Sequence, residues 1–167
     1  RCNRVITCTA AKICQDKEVI PVMTSEPITT KGYCAMQTQI KVRGYHLDVY
    51  QHVNNARYLE FLEEARWDGL ENSESFLWLT AHNIAFVVVN ININYRRPAV
   101  LGDVLTVTSE VQQLNGKSGV LSQVVTLEPE GQIVADALIT FVCIDLKTQK
   151  ALPLEGELRE KLELMIA

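Results

Sequence analysis

The sequence predicts an α+β fold in which a curved antiparallel sheet of five strands wraps around one long central helix. Two observations support this fold class: a short strand and a long amphipathic helix come first, and four strands joined by short turns follow. At 167 residues, 47% of them hydrophobic, the chain can bury one sizeable core. We therefore expect one folded domain that carries one site.

The first strand and the long helix lie on either side of a polar loop. The segment MQTQIKV, residues 36–42, is typical of a short strand. From Asn54 or Asn55, either of which is a good N-cap, apolar residues recur at the spacing of one helical face. These residues are Tyr58, Phe61, Leu62 and Ala65. We expect the helix to end at Gly69.

The remaining sequence predicts a second short helix and an antiparallel meander. Residues 73–83 indicate the helix, with Asn83 at its C-terminal end. Residues 89–95, VNININY, alternate with a period of two, which excludes a helix. The residues expected on one face of that strand are Val89, Ile91, Ile93 and Tyr95. Three further strands are expected at residues 104–114, 120–127 and 132–145. A weaker C-terminal helix is indicated by Leu158, Leu162 and Met165.

The first 35 residues differ from the rest of the chain, because their polar and apolar residues follow no sustained period. We expect residues 1–35 to be a dispensable extension and residues 36–167 to be the folded domain. The alternative is that the extension contains an unusual first strand.

Cysteine usage and hydropathy indicate the compartment. Cys143 lies in an apolar run and is expected to be a buried core thiol rather than a nucleophile. The other four cysteines lie in the first 35 residues, and no CxxC pair offers zinc-ligand spacing. No apolar stretch approaches the ~18 residues of a membrane span. We therefore expect a soluble cytoplasmic protein.

Charge and motif spacing exclude several classes of function. The formal net charge of −4 argues against non-specific nucleic-acid binding, which needs a basic face. The histidines His46, His52 and His82 lack metal-ligand spacing, so metal binding is not expected. The GK pair at residues 116–117 lies in a hairpin turn and lacks the preceding glycine of a phosphate-binding loop. No GxSxG segment supports a serine hydrolase.

An acid precedes the long helix by a few residues. Asp48 lies six residues before Asn54, in the loop that leads into the helix. A helix N-terminus offers free N–H groups and partial positive charge, which stabilise an oxyanion that forms on a carbonyl. Asp48 is therefore a candidate to attack such a carbonyl or to activate a water against it. The alternative is that Asp48 only caps a turn and that His52 bonds locally to the backbone.

The segment DVYQHVNNARYL, residues 48–59, resembles the signature of the 4-hydroxybenzoyl-CoA thioesterase branch of the hotdog-fold superfamily. The resemblance extends over residues 36–167. It implies a hotdog fold and hydrolysis of long-chain fatty acyl-CoA to free fatty acid and CoA, without a metal or cofactor. It also implies that Asp48 is the catalytic carboxylate and that the backbone N–H near Asn55 polarises the thioester carbonyl.

The chain departs from that family's pattern at one position near the candidate carboxylate. Many relatives carry a second acid two positions before the catalytic one, where this chain has His46. His46 and His52, together with Asn54, are therefore interpreted as supporting residues. Other hotdog thioesterases place the carboxylate on the central helix, which keeps Glu63 and Glu64 as alternatives.

Two alternative functions and an oligomeric state are also considered. A non-catalytic acyl-CoA binding or sensing module is the main alternative, and a hydroxyacyl thioester dehydratase is the third. Because a lone sheet around one helix leaves an edge strand and an apolar face, a homodimer or homotetramer is expected. Pairing would bring basic loop residues near the CoA phosphates, and the candidates are Arg96, Arg97 and Lys117.

Overall fold

A computed structural model describes residues 36–71 and 73–164. The predicted extension at residues 1–35 and Met165 of the predicted last helix lie outside the described residues. The elements are β1 (Met36–Lys41), α1 (Asn55–Leu70), α2 (Glu74–Ala81), β2 (Ile84–Tyr95), β3 (Val104–Leu114), β4 (Gly119–Leu127), β5 (Gln132–Asp145), β6 (Lys150–Ala151) and α3 (Gly156–Leu164). A short 3₁₀ turn, Gly44–His46, follows β1.

The strands form one antiparallel sheet in the order β1-β3-β4-β5-β2, and β6 pairs with the end of β5. The turn between β3 and β4 lies where Asn115 and Gly116 predict it, and the Asn115 N–H donates to the Ser118 carbonyl at 2.7 Å. Helix α1 packs on one face of the sheet, against β1 and β3. The predicted fold class, a curved antiparallel sheet with a long helix, is confirmed. The two-residue strand β6 was not predicted, because it is too short to show a period.

The core lies between α1 and the sheet. The four apolar residues predicted for the helical face are all buried. Opposite them, inward-facing residues of the central strands are also buried, among them Leu105, Val107, Leu121, Val125 and Ile139. Complete burial of one such side chain, for example Leu62, contributes ~1.5–3 kcal/mol relative to exposure. This packing fixes α1, and therefore its N-terminus, against the sheet.

Helix α1 continues past the predicted end at Gly69 and stops at Leu70. Gly69 has another purpose, because a Cβ at this position would clash with the side chain of Met36 on β1. The glycine therefore leaves room for the Met36 side chain against the helix.

Strand β2 begins at Ile84, five residues earlier than predicted, because residues 85–89 are continuously apolar and show no alternation. The pairing of β2 with β5 is irregular between Val88 and Asn90, so Val89 has no partner in the ladder. Val89 is exposed, whereas Ile91 and Ile93 are partly buried, so the prediction that Val89 shares their face of the strand is wrong. Helix α2 ends two residues earlier than predicted, and Asn83 follows it with a left-handed φ of 56°.

A second apolar cluster joins β5 to the two shorter helices. Leu79 of α2 and Cys143 of β5 are buried in it, and so are Leu158 and Leu162 of α3. Burial raises the pKa of the Cys143 thiol to about 12, which suits the predicted core thiol and not a nucleophile. Within the described ranges, no helix has the length and apolar character that crossing a bilayer requires.

Candidate active site

The loop that precedes α1 folds back on itself. The Asp48 N–H donates to the His52 carbonyl at 2.8 Å, and the Asn54 N–H donates to the His46 carbonyl at 2.9 Å. These bonds form a small antiparallel ladder, so Asp48 lies alongside the last residues before the helix rather than six residues away along an extended chain. The fold therefore brings the predicted carboxylate back towards the N-terminus of α1.

The carboxylate of Asp48 is half-buried and partly occupied by local hydrogen bonds. Its Oδ1 accepts from the backbone N–H groups of Tyr50 at 2.8 Å and of His52 at 3.4 Å. Gln51 completes this turn with a left-handed φ of 62°. Within residues 36–71 and 73–164, Oδ2 has no hydrogen-bond partner. One carboxylate oxygen of Asp48 thus stabilises the turn, and the other could contact a substrate or a water molecule.

The first turn of α1 presents an unused backbone donor. Asn54 is the N-cap, and its Oδ1 accepts from the Ala56 N–H at 2.9 Å. The Asn55 N–H has no acceptor among the residues that the structure describes. On the other side of this residue, the Tyr95 hydroxyl donates to the Asn55 carbonyl at 3.1 Å. The free N–H and the helix dipole make this end of α1 suited to an oxyanion.

His46 is buried beside the site. Its Nδ1 accepts from the Arg43 N–H at 3.0 Å, and its ring packs edge-on against Tyr45 and Phe61. Burial, and next the positive charge of Arg57, hold the pKa of His46 below its ordinary value. His46 is therefore neutral at pH 7, and its hydrogen bond with Arg43 helps to hold the loop. It lines a polar cleft of about 390 Å³ between β1 and α1.

The other predicted site residues lie on different parts of the surface. Arg96 follows β2 and forms an ion pair with Asp136 of β5, whereas Arg97 is exposed. Lys117 is exposed in the turn between β3 and β4. The carboxylates of Glu63 and Glu64 are exposed on α1. In the described part of the chain, no three His, Cys, Asp or Glu side chains group closely enough to hold a metal ion.

The structure also contains an apolar cavity of about 380 Å³, within the ~300–1,000 Å³ of small-molecule sites. Its wall includes Arg66, whose Nη1 donates to Oε1 of the fully buried Gln123 at 2.9 Å. Sequence reasoning missed this pair. One signal was present, because Gln123 lies between Leu121 and Val125 at a position of β4 that faces the core.

Residues 42–162 match the model of the thioesterase-like superfamily. This segment is most of the chain, so the chain belongs to that superfamily and is an enzyme, a thioester hydrolase. Its relatives include long-chain acyl-CoA thioesterase FadM of Escherichia coli (strain K12), which is 89% identical over 131 residues, 78% of this chain and 99% of that protein. Acyl-CoA thioesterase YbgC of Haemophilus influenzae is 31% identical over 109 residues, 64% of this chain and 79% of that protein.

Solved structures agree with this assignment. The crystal structure of YbaW, a probable thioesterase from Escherichia coli, superimposes with a TM-score of 0.77 at 89% identity and covers 79% of this chain and 99% of that chain. SAV2348 from Staphylococcus aureus, solved in complex with CoA, has a TM-score of 0.70 at 16% identity and covers 80% and 85% of the two chains. The second similarity shows the fold alone. The family resemblance predicted from the sequence is confirmed.

Proposed function

We propose that this enzyme hydrolyses long-chain fatty acyl-CoA to a free fatty acid and CoA. The observation that carries the proposal is that two groups near the start of α1, the Oδ2 atom of Asp48 and the N–H of Asn55, have no hydrogen-bond partner among the described residues. A close relative that is 89% identical is a long-chain acyl-CoA thioesterase, which supports the choice of substrate.

Each group has a distinct role in the proposed reaction. The Asn55 N–H donates a hydrogen bond to the thioester carbonyl oxygen and stabilises the negative charge that forms on that oxygen. Asp48 either attacks the carbonyl carbon or removes a proton from a water that attacks it. The tetrahedral intermediate then expels the CoA thiolate, which takes up a proton. If Asp48 attacks, water hydrolyses the resulting anhydride in a second step.

The hydrogen bonds that Asp48 makes in the turn stabilise the fold and also support its proposed catalytic role. Two backbone N–H groups on Oδ1 restrict rotation of the carboxylate and hold Oδ2 in one direction. Asn54 acts through the helix, because its cap fixes the first turn from which the Asn55 N–H projects. His46 and His52 hold the ladder and are positioning residues in this scheme.

The CoA nucleotide needs cations, and exposed basic residues offer them. Arg97 and Lys117 are exposed, whereas Arg96 is already paired with Asp136. We infer that the first two meet the CoA phosphates and that Arg96 chiefly holds the end of β2. In this scheme the reaction proceeds on the chain's own carboxylate and N–H groups, without a cofactor.

The sheet edge indicates how copies of the chain associate. Strand β2 has 12 residues and, among residues 36–71 and 73–164, pairs along one side only, with β5. A long free edge with exposed apolar residues, Val88 and Val89, is a surface that proteins normally cover. We propose that two copies of the chain cover this region in a homodimer, or in a tetramer built from dimers.

A chain-length series tests the proposed reaction. Purified protein is incubated with acyl-CoA substrates from short to long chains, and release of the CoA thiol is followed at steady state. We expect many turnovers per protein, with kcat/KM highest for long chains. Thiol release from none of the substrates would contradict the proposal, and saturable binding without release would favour a non-catalytic acyl-CoA binding module.

A further inference from the structure

The apolar cavity is not used by the groups assigned so far. It lies between α1, α2 and the sheet, and its wall is mostly apolar: aliphatic side chains make up the larger part, and Trp67, Phe76, Phe86 and Phe141 are its aromatic members. Such a wall suits an alkyl chain. The charged side chain of Arg66 in the same wall does not, so Arg66 requires its own explanation.

Arg66 has little compensation for its burial. Desolvation lowers the pKa of its guanidinium, and the nearby Glu63 carboxylate opposes this shift only in part. No ion pair among residues 36–71 and 73–164 includes Arg66, and its one hydrogen bond there is with the neutral amide of Gln123. A guanidinium has five N–H donors. Most of the donors of Arg66 therefore have no acceptor within those ranges.

Gln123 fixes the direction in which these donors point. Its Nε2 donates to the Leu62 carbonyl at 3.0 Å and to the Ser109 hydroxyl at 2.8 Å, while its Oε1 accepts from Arg66. The amide is fully buried and both of its ends are used, so it cannot rotate without losing bonds. In the described part of the chain, no buried side-chain nitrogen or oxygen lacks a partner. The remaining N–H groups of Arg66 are consequently not fully buried, and the cavity that Arg66 lines is open space beside them.

The position of Arg66 relates the cavity to the reaction site. Arg66 lies 11 residues after Asn55 on α1, which is about 16 Å along the helix axis. Leu59 and Glu63 lie between them, at successive spacings of four, four and three residues, on the same side of the helix as Arg66. An acyl chain whose thioester lies at the N-terminus of α1 would follow this side of the helix and reach Arg66 with its distal half.

We propose that the cavity holds the distal half of the acyl chain and that Arg66 selects chains that carry a hydroxyl or oxo oxygen there. The inference rests on the proposed function. A plain alkyl chain would displace water from Arg66 and offer no acceptor, whereas an oxygen on the chain would replace that water. A neutral oxygen suits the site better than a carboxylate, because Glu63 lines the same cavity and would repel an anion.

The test compares acyl-CoA substrates of one long chain length that differ only in the presence and position of a hydroxyl group. We expect wild-type kcat/KM to pass through a maximum when the hydroxyl lies in the distal half, about 10- to 100-fold above the unsubstituted chain, as for a hydrogen bond to a charged group. Arg66→Met should remove this maximum and improve cleavage of the unsubstituted chain. Arg66→Lys should retain part of it.

Two features keep the test decisive. The ratio of two kcat/KM values in one sample does not depend on the folded fraction, so partial unfolding of Arg66→Met does not obscure the result. Arg159→Met is the matched control, because Arg159 pairs with Glu163 on α3 and does not line the cavity. Equal wild-type activity at every hydroxyl position, or an unchanged maximum in Arg66→Met, would overturn the inference while leaving the proposed hydrolysis intact. Cleavage of neither substrate class would overturn both.

Discussion

Asp48→Asn separates the proposed catalytic role of Asp48 from its role in the turn. Asparagine keeps an Oδ1 atom that accepts the N–H groups of Tyr50 and His52, and it replaces only the free oxygen by an amide. The charge is lost and the shape is kept. We therefore expect binding to survive and turnover to fall.

The structure sets the expected magnitudes. Because both turn bonds are retained, the free energy of unfolding should change by less than about 0.5 kcal/mol, which is a shift in Tm of about 2 °C or less at this chain length. Asp48→Ala removes both bonds, one of them long at 3.4 Å, and should cost about 1–2 kcal/mol. A general base contributes ~10²–10⁴-fold to the rate, so kcat of Asp48→Asn should fall at least about 100-fold.

Both quantities are measured on the same preparation, kcat by steady-state release of CoA thiol and Tm by circular dichroism. Asp48→Ala is the control that should lose both activity and stability. Wild-type turnover in Asp48→Asn would refute the assignment and move the catalytic carboxylate to Glu63 or Glu64. A large fall in Tm with little loss of rate would show that capping is the main role of Asp48.

Four other outcomes are expected. Sedimentation at micromolar concentration should show a dimer or tetramer, and a monomer would contradict the proposed association at β2. A chain shortened to begin at Met36 should keep its Tm and activity, whereas a large fall in Tm would show that residues 1–35 are structural. Arg97→Glu and Lys117→Glu should raise KM more than they lower kcat, because the phosphates lie far from the reacting carbonyl; an equal effect on both constants would place these residues elsewhere. Burial lowers the pKa of His46, so the unfolded chain binds the proton more readily, and the stability present above pH ~6.5 should decline as the pH falls. His46→Asn should weaken that decline in thermal melts, and an unchanged pH profile would assign it to other groups.

The sequence predicts an element well when its buried residues recur with the period of a single strand or helix. The bounds of β3 and β5 agree with the prediction, and the buried face of α1 agrees residue by residue, because local periodicity alone decides them. The predicted helix end at Gly69 and the predicted strand face of Val89 were wrong, because contacts outside the local sequence decide them. Gly69 lies inside the helix against the Met36 side chain, and an irregularity in pairing with β5 turns Val89 outward. Both depend on strands that are distant in sequence.

In the candidate site, too, the features formed by neighbouring residues were predicted and those formed by distant segments were not. Asp48 and the helix start are adjacent in sequence, so a motif reveals them, and the ladder that joins them is local. Arg66 and Gln123 are 57 residues apart and meet only when β4 packs over α1. The cavity has contributors from β1 to α3 and no signature in any one segment. Local chemistry was therefore predictable, and the shape and polarity of the cavity were not.

The hydrogen bond from Tyr95 to the Asn55 carbonyl connects the last residue of β2 with the residue whose N–H is the proposed oxyanion donor. If copies of the chain associate along β2, the same strand carries both the contact between copies and the support of the catalytic end of α1. The fraction of active enzyme would then follow the association equilibrium, which depends on protein concentration by mass action. Activity per molecule would depend on how much of the protein is present, and dilution alone would act as an inhibitor.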